Sequence, residues 1–315
     1  MLYQFLSEQF SEVIDKDKHT LLWSGCGEVR KMCLDEQNVV VKFSYVPEQL
    51  VHRHIQQSDF ALSRKRTSYK IELTFYQWFH TNPKAGCQIP ELIFSSQKNN
   101  ATCLVLADFS YQGFVQHTDV SMQQHHAILS WLARFHSQFI NQSEQIGWQQ
   151  GGYWHLATRP DEWQRMHHHG LKNQAQYIDD LVTHCPYRCV IHGDAKVANF
   201  ALDNYLNVIG YDFQYVGGGV GVQDVMLYFT SVFDETSLFN HADRLLEYYL
   251  KQLNAHLRIN HSTDYVINVI NSWRALWPVV WADFHRFLLG WKPDHVKINQ
   301  YMLEHTNATL AQNRG

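Results

Sequence analysis

Two stretches of this 315-residue chain place polar side chains directly after an apolar run. The first reads Cys189-Val190-Ile191-His192-Gly193-Asp194-Ala195-Lys196-Val197-Ala198-Asn199-Phe200, and the second Val208-Ile209-Gly210-Tyr211-Asp212-Phe213-Gln214. Phosphoryl transfer to an alcohol needs a carboxylate to accept the hydroxyl proton and oxygen ligands for a magnesium ion bridging the phosphates. In this spacing Asp194 supplies the base and Asn199, five residues on, a metal ligand; Asp212, at the end of the next strand, supplies the second metal oxygen. An Asp and an Asn five apart would also serve to cap a turn. The second strand-terminal aspartate favours the catalytic reading. Lys196 reads either as a neutraliser of charge on the transferred group or as a solvent-facing loop lysine. His192 reads as an orienting group for the loop backbone, and Asp224 as a helix cap or loop anchor rather than a substrate contact.

The elements that must position these residues change character along the chain. Residues 1–18, with Glu8 and Glu12, read as an amphipathic helix and not as a secretory signal. Leu21 to Trp23, Val29 to Leu34 and Val39 to Phe43 form a meander joined by Ser24-Gly25-Cys26-Gly27 and Asp35-Glu36-Gln37-Asn38. Ile71, Phe75, Trp78 and Phe79 recur at helical spacing before Pro83. Leu92–Ser95 and Thr102–Leu106 flank a turn cluster, Gln97 to Asn100. From Ala107 to Gly113 the chain turns polar, and helical patterns dominate thereafter, interrupted by the β-rich interval that carries the two polar stretches.

His192-Gly193-Asp194 to Asn199, followed by a hydrophobic strand and Asp212, resembles the signature loop of the aminoglycoside phosphotransferase and choline kinase family. Tyr211-Asp212-Phe213-Gln214 leading to Asp224, and the segment Ala282 to Trp291, resemble its ecdysteroid kinase-like branch, and the likeness covers nearly the whole chain. It implies an α+β, protein kinase-like fold in two lobes. These are a small antiparallel sheet with one central helix (1–106, nucleotide-binding), a hinge (107–113), and a larger helical lobe (114–315) with the catalytic loop and acceptor site. It further implies ATP and Mg2+ as cofactors, Lys42 on the third strand contacting the phosphates and paired with Glu72, and Ser24 and Gly25 in a turn covering the phosphates. The acceptor is then a small-molecule alcohol, choline-like, aminoglycoside-like or steroid-like. Trp277, Trp281 and Asp283 read as lining its pocket, by ring faces and one acid, or else as a helix core with Asp283 paired to Arg286 or Lys292.

Other readings are narrowed by composition. A net charge of −4 and a pI near 6.6 give no dense basic face, so neither nucleic acid nor an anionic membrane is an expected partner. The six cysteines lack a signal peptide and CxxC pairs, which favours reduced thiols and a cytoplasmic setting. Gly217-Gly218-Gly219-Val220-Gly221 lacks the strand-first context of a dinucleotide fingerprint and reads as a flexible segment. His125-His126 and His167-His168-His169 read as solvated loops. Against a protein kinase stand Gly193 in place of an arginine and the short interval from Asp212 to Asp224. The competing class is a catalytically silent nucleotide-binding regulatory module on the same fold.

Overall fold

The computed structural model describes residues 1–22, 25–47, 58–142 and 146–312. A short helix α1 (Leu2–Ser7) precedes three strands, β1 (Val13–Leu21), β2 (Gly27–Leu34) and β3 (Gln37–Tyr45). The long helix α2 (Asp59–Thr81) follows, then β4 (Leu92–Lys98) and β5 (Ala101–Ala107). These strands form one antiparallel sheet in the order β1-β2-β3-β5-β4. The amino-terminal expectation is corrected here. The helix ends at Ser7, and the residues from Val13 join the sheet as β1, because Val13 and Ile14 continue as a strand against Leu34 and Cys33.

Alternation along the central strands gives the sheet two different faces. Val39, Val41 and Phe43 of β3, with Cys103 and Val105 of β5, pack with Leu2, Phe5 and Leu6 of α1, which therefore caps the outer face. The opposite parity carries Lys42 on β3 and Leu104 and Leu106 on β5 toward α2, where the two leucines join the main core. One-residue parity thus turns Lys42 to the inner face. Phe75, Tyr76 and Phe79 of α2 belong to that same core, so α2 is the packing link between the sheet and the rest of the molecule.

After β5 a 3-10 turn (Phe109–Gln112) is capped by Asp108 and closed by Gly113 at φ +86°. Then come β6 (Val115–Gln116), α3 (Met122–Gln138), the short α4 (Pro160–Arg165), α5 (His169–Asn173) and α6 (Ala175–Thr183). The strands β7 (Cys189–Ile191), β8 (Phe200–Leu202), β9 (Val208–Gly210) and β10 (Gly217–Gly219) carry the polar loops between them. Helices α7 (Val222–Val232), α8 (Glu235–Leu257), α9 (Thr263–Ala275), α10 (Trp277–Trp291) and α11 (Gln300–Gln312) complete the chain. The result is the expected small antiparallel lobe with one long helix and a larger helical lobe. Among the described residues no helix is long and apolar enough to cross a membrane.

Two further expectations are corrected. The glycine run is not flexible: Gly217–Gly219 is a buried strand paired with Ile191–Cys189, and the glycines admit neighbours that a side chain would displace. An ideal Cβ on Gly217 would lie 2.3 Å from the Trp148 carbonyl oxygen. His125 and His126 lie within α3; His125 is buried with its Nδ1 2.7 Å from the Tyr228 hydroxyl, and His126 stacks on Tyr248. His167–His169 are exposed, and His168 caps α5. None of the six cysteines forms a disulfide among the described residues.

Because the obstacle at Gly217 is backbone, Gly217→Ala is expected to lower unfolding free energy by about 1–3 kcal/mol. In Gly170→Ala, where the nearest atom is a side-chain carbon at 3.3 Å on a helix, the effect stays within about 0.5 kcal/mol. Urea unfolding of both variants is the check, and equal stabilities contradict the close-packed strand.

Candidate active site

The site begins with a lysine between two acids. Lys42 Nζ donates to Glu72 Oε1 at 2.8 Å and to Asp212 Oδ1 at 2.7 Å, joining the sheet, α2 and the loop after β9. Burial disfavours the lysine charge, yet the two carboxylates together hold its pKa above the ordinary lysine range. The acids divide unequally. Burial pushes the Glu72 carboxyl up to about 7 in spite of Lys42. For Asp212 burial also acts upward, but Lys42, Lys196 and the Gln214 amide outweigh it and hold the carboxyl well below the usual range. The negative charge therefore rests on Asp212. Its backbone sits at φ +68°, a left-handed conformation that aspartate tolerates better than most residues.

α2 contributes a stripe to this centre. Lys65, Ser68, Glu72 and Tyr76 recur at three- and four-residue spacing on one face. Gln214 Nε2 donates to Asp212 Oδ1 at 2.6 Å, while its Oε1 faces Ser68 Oγ and Lys65 Nζ, both at 3.5 Å. Phe213, between the two polar residues, turns the other way and packs on Phe75 of α2 (ring centroids 4.3 Å) and on His192 (4.5 Å). That contact is what fixes Asp212 relative to both α2 and the loop that begins at His192.

The loop from His192 to Asn199 is held from below by Asp224. Its Oδ2 accepts from the His192 backbone N–H at 2.6 Å and its Oδ1 from Gly193 N–H at 2.9 Å. His136 Nε2 completes the anchor at 3.0 Å from Oδ2, so that nitrogen carries a proton, since a carboxylate only accepts. Gly193 has φ +77°, and an ideal Cβ there would be 2.0 Å from the Tyr215 carbonyl oxygen; only glycine fits. His192 Nε2 donates to the Tyr211 carbonyl at 3.0 Å, and its Nδ1 accepts from the Asp194 N–H at 3.3 Å. Burial lowers the pKa of this imidazole, consistent with one donor and one accepting nitrogen. His192 thus ties the two polar loops together, and Asp224 anchors the first of them.

Asp194 is buried, and its Oδ2 accepts from Lys196 Nζ at 2.9 Å and Asn199 Nδ2 at 3.1 Å. Oδ1 accepts no hydrogen bond from the described residues. Burial raises the carboxyl pKa, offset in part by Lys196. Asn199 Nδ2 also donates to the Asp194 carbonyl at 2.7 Å, which leaves its Oδ1 without a donor among the described residues. The β8–β9 hairpin sets Tyr211 N–H 3.0 Å from the Asn199 carbonyl, so Asn199 and Asp212 flank the same hairpin end. Both donors to Asp212 reach its Oδ1, so Asp212 Oδ2 and Asn199 Oδ1, without donors among the described residues, are the kind of ligands magnesium takes, the remainder coming from water and phosphate.

Not every expected residue belongs to this cluster. Ser24 lies outside the described residues. Gly25 adopts φ +66°, as its turn requires, but its N–H is donated to the Leu22 carbonyl at 2.7 Å and is not free for a phosphate. Trp277 and Trp281 are buried in the helical core, edge-on to each other at 5.7 Å and packed on Tyr301 and His305 of α11, so they do not line an open pocket. Asp283 is closed off too: Oδ1 accepts from Arg286 at 2.7 Å and Oδ2 from Trp154 Nε1 at 3.0 Å, all buried. That is the core pairing with Arg286, and its cause is that a buried guanidinium three residues along the helix needs a counter-charge.

Sequence reasoning missed Lys65, Ser68, Gln214 and Lys297. The first two share the helical stripe of Glu72, a signal that was readable. Lys297 follows α10 in an aperiodic stretch after Pro293 and had none. Its ammonium, 3.2 Å from Thr230 Oγ1, lies near enough to Asp194 and Lys196 for both charges to act on it.

The ecdysteroid kinase-like family model matches residues 143–261, the stretch containing Asp194, Asn199, Asp212 and Asp224. No curated protein matches the chain in sequence. Among solved structures it is similar to a microcompartment-associated aminopropanol kinase at 11% identity, with 98% of this chain and 94% of that one covered and a TM-score of 0.55. A thermostable mutant of aminoglycoside phosphotransferase APH(4)-Ia, in ternary complex with ADP and hygromycin B, matches at 12% identity over 99% and 98% of the two chains, TM-score 0.53. Choline kinase LicA from Streptococcus pneumoniae matches at 13% identity over 98% and 97%, TM-score 0.51. At these identities the likeness is one of fold, and the fold is the kinase-like one.

The Asp224 anchor generates a prediction. Asp224→Ala leaves two buried N–H groups and His136 without their acceptor, and is expected to lower unfolding free energy by about 2–5 kcal/mol. Urea titration reads it; a variant as stable as the parent contradicts the anchoring role.

Proposed function

From a chain with the kinase-like fold, whose catalytic segment matches the ecdysteroid kinase-like family, we propose an ATP- and Mg2+-dependent phosphotransferase that moves the γ-phosphate to a hydroxyl of a small molecule. The observation that carries this reading is the Lys42 contact with Glu72 and Asp212, facing an Asp194 whose Oδ1 is left open. The segment 1–106 holds the nucleotide, 107–113 serves as hinge, and 114–315 presents the catalytic loop and the acceptor.

In this reading Asp194 Oδ1 accepts the proton of the acceptor hydroxyl while the hydroxyl oxygen bonds to the γ-phosphorus and the bond from that phosphorus to the departing ADP breaks. Lys196 and Asn199 hold Oδ2, which fixes the carboxylate for this transfer. Its raised pKa brings it closer to the working pH of a base. Lys42 exchanges Asp212 for a phosphate oxygen and remains oriented by Glu72. Asp212 and Asn199 would hold Mg2+, and the ion would supply neutralisation of charge on the phosphates. Lys196 lies where charge on the transferred group would gather.

Mg-ATP is expected to raise the melting temperature, and an alcohol panel to release ADP. Asp194→Ala should retain the thermal shift while transfer falls about 10²–10⁴-fold. Undiminished transfer in that variant contradicts the mechanism. Nucleotide binding with no transfer by the parent protein is the outcome of a silent regulatory module.

A further inference from the structure

Aromatic and positively charged groups lie near Asp194. Tyr153 follows Gly152, whose N–H donates at 3.0 Å to the Tyr215 carbonyl that abuts Gly193, and it lies close enough to Asp194 for that carboxylate to act on its phenol. Its ring meets those of Tyr215 and Phe287, each at 5.7 Å, and Phe284 at 6.3 Å. Such rings would suit an ammonium-bearing acceptor if their faces were free. They are already occupied by the protein's own cations. Lys297 Nζ stands over Phe284 at 5.8 Å, and the Arg159 guanidinium over Phe287 at 5.0 Å.

The carboxylates that a cationic acceptor would need are also taken. Asp283 is bonded to Arg286 and Trp154, and Glu162 lies 3.3 Å from Arg159. Lys297 differs from Arg159, Arg286 and Lys196, each of which is paired with a carboxylate. Among the described residues it forms no ion pair, and its hydrogen bond goes to a neutral hydroxyl, Thr230 Oγ1. Burial brings its pKa down to about 8, with Asp194 acting upward and Lys196 downward, so at neutral pH it is mostly charged. Thr230 is followed by Ser231, whose Oγ accepts from the Val197 N–H at 2.9 Å, next to Lys196. A partly buried ammonium with no carboxylate partner among the described residues, near a second lysine that is itself held by Asp194, is a site for a negative group from outside.

We infer that the acceptor is an anionic alcohol, whose carboxylate or phosphate is received by Lys297 while its hydroxyl faces Asp194. This rests on the phosphotransferase reading and narrows it. An amine such as choline would meet Lys196 and Lys297 and find both ring faces filled; a neutral alcohol would leave Lys297 uncompensated.

The test is Asp194-dependent ADP release across alcohols in four charge classes on matched carbon frames: hydroxycarboxylates, hydroxyalkyl phosphates, their neutral amides or diols, and amino alcohols. Turnover is expected in the anionic classes, and the better of the two identifies the anion. Lys297→Gln should raise KM for that acceptor roughly 10- to 100-fold, the loss of one charged hydrogen bond, with kcat within a few-fold and KM for ATP unchanged. Lys297→Arg should recover most of the affinity. Circular dichroism and the ATP KM establish that the variants are folded. Preference for amino alcohols or neutral alcohols, or an unchanged acceptor KM in Lys297→Gln, overturns the inference while leaving the phosphotransferase intact. Absence of Asp194-dependent transfer to all four classes overturns both.

Discussion

The structure depends on one buried ammonium shared by two carboxylates. Lys42 comes from the sheet, Glu72 from α2 and Asp212 from the loop after β9, so their contacts tie three separately folded pieces to a single point. Two acids for one lysine is an unbalanced arrangement, and burying charge is expensive unless it is compensated. The protein resolves the imbalance by asymmetry. Glu72, almost wholly enclosed, is pushed toward protonation, whereas Asp212 gains the Gln214 amide and a second lysine nearby and keeps its charge. A carboxylate that remains ionised at the mouth of a cleft is what a divalent cation requires.

Most of the other features keep that point in register with the His192–Asn199 loop. Phe213 wedges between Phe75 and His192; His192 bonds to the carbonyl preceding Asp212; Asp224 holds the His192 and Gly193 amides from beneath. Behind Asp224, His136 and Tyr249 extend the anchor into the helical core through a 2.8 Å contact, all three side chains being buried. The close-packed glycine strand has the same purpose at the backbone level, letting β10 lie against β7, from which the catalytic loop departs. Rigidity here is built from buried, mutually satisfied polar groups rather than from apolar packing alone.

Much of this was legible before any coordinates. The apolar runs of the meander and the helical period around Ile71 to Phe79 set the two-lobed layout, and the His192–Asn199 spacing with Asp212 pointed to polar groups that the structure brings to neighbouring loops, because local chemistry at fixed separations survives in sequence. What failed did so for physical reasons. Apolar Leu21 to Trp23 masked a strand that begins at Val13, since β1 is largely exposed and carries little hydrophobic signal. The tryptophans of α10 looked like pocket walls, yet aromatic residues at helical spacing face the core more often than a ligand, and here α11 covers them. For Asp283 the sequence left a pocket acid and a partner of Arg286 or Lys292 both open, and Arg286, one turn away, takes it. Lys297 was invisible because its importance comes from a loop crossing to another part of the chain.

The most direct measurement of the central claim is a crystal structure with Mg2+ and a non-hydrolysable ATP analogue. The account predicts that the 2.7 Å contact between Lys42 and Asp212 opens, with Asp212 and Asn199 turning to the metal and Lys42 to a phosphate, while the 2.8 Å contact between Lys42 and Glu72 persists. A nucleotide bound elsewhere, or bound here with Lys42 still on Asp212 and no metal between Asp212 and Asn199, would contradict it.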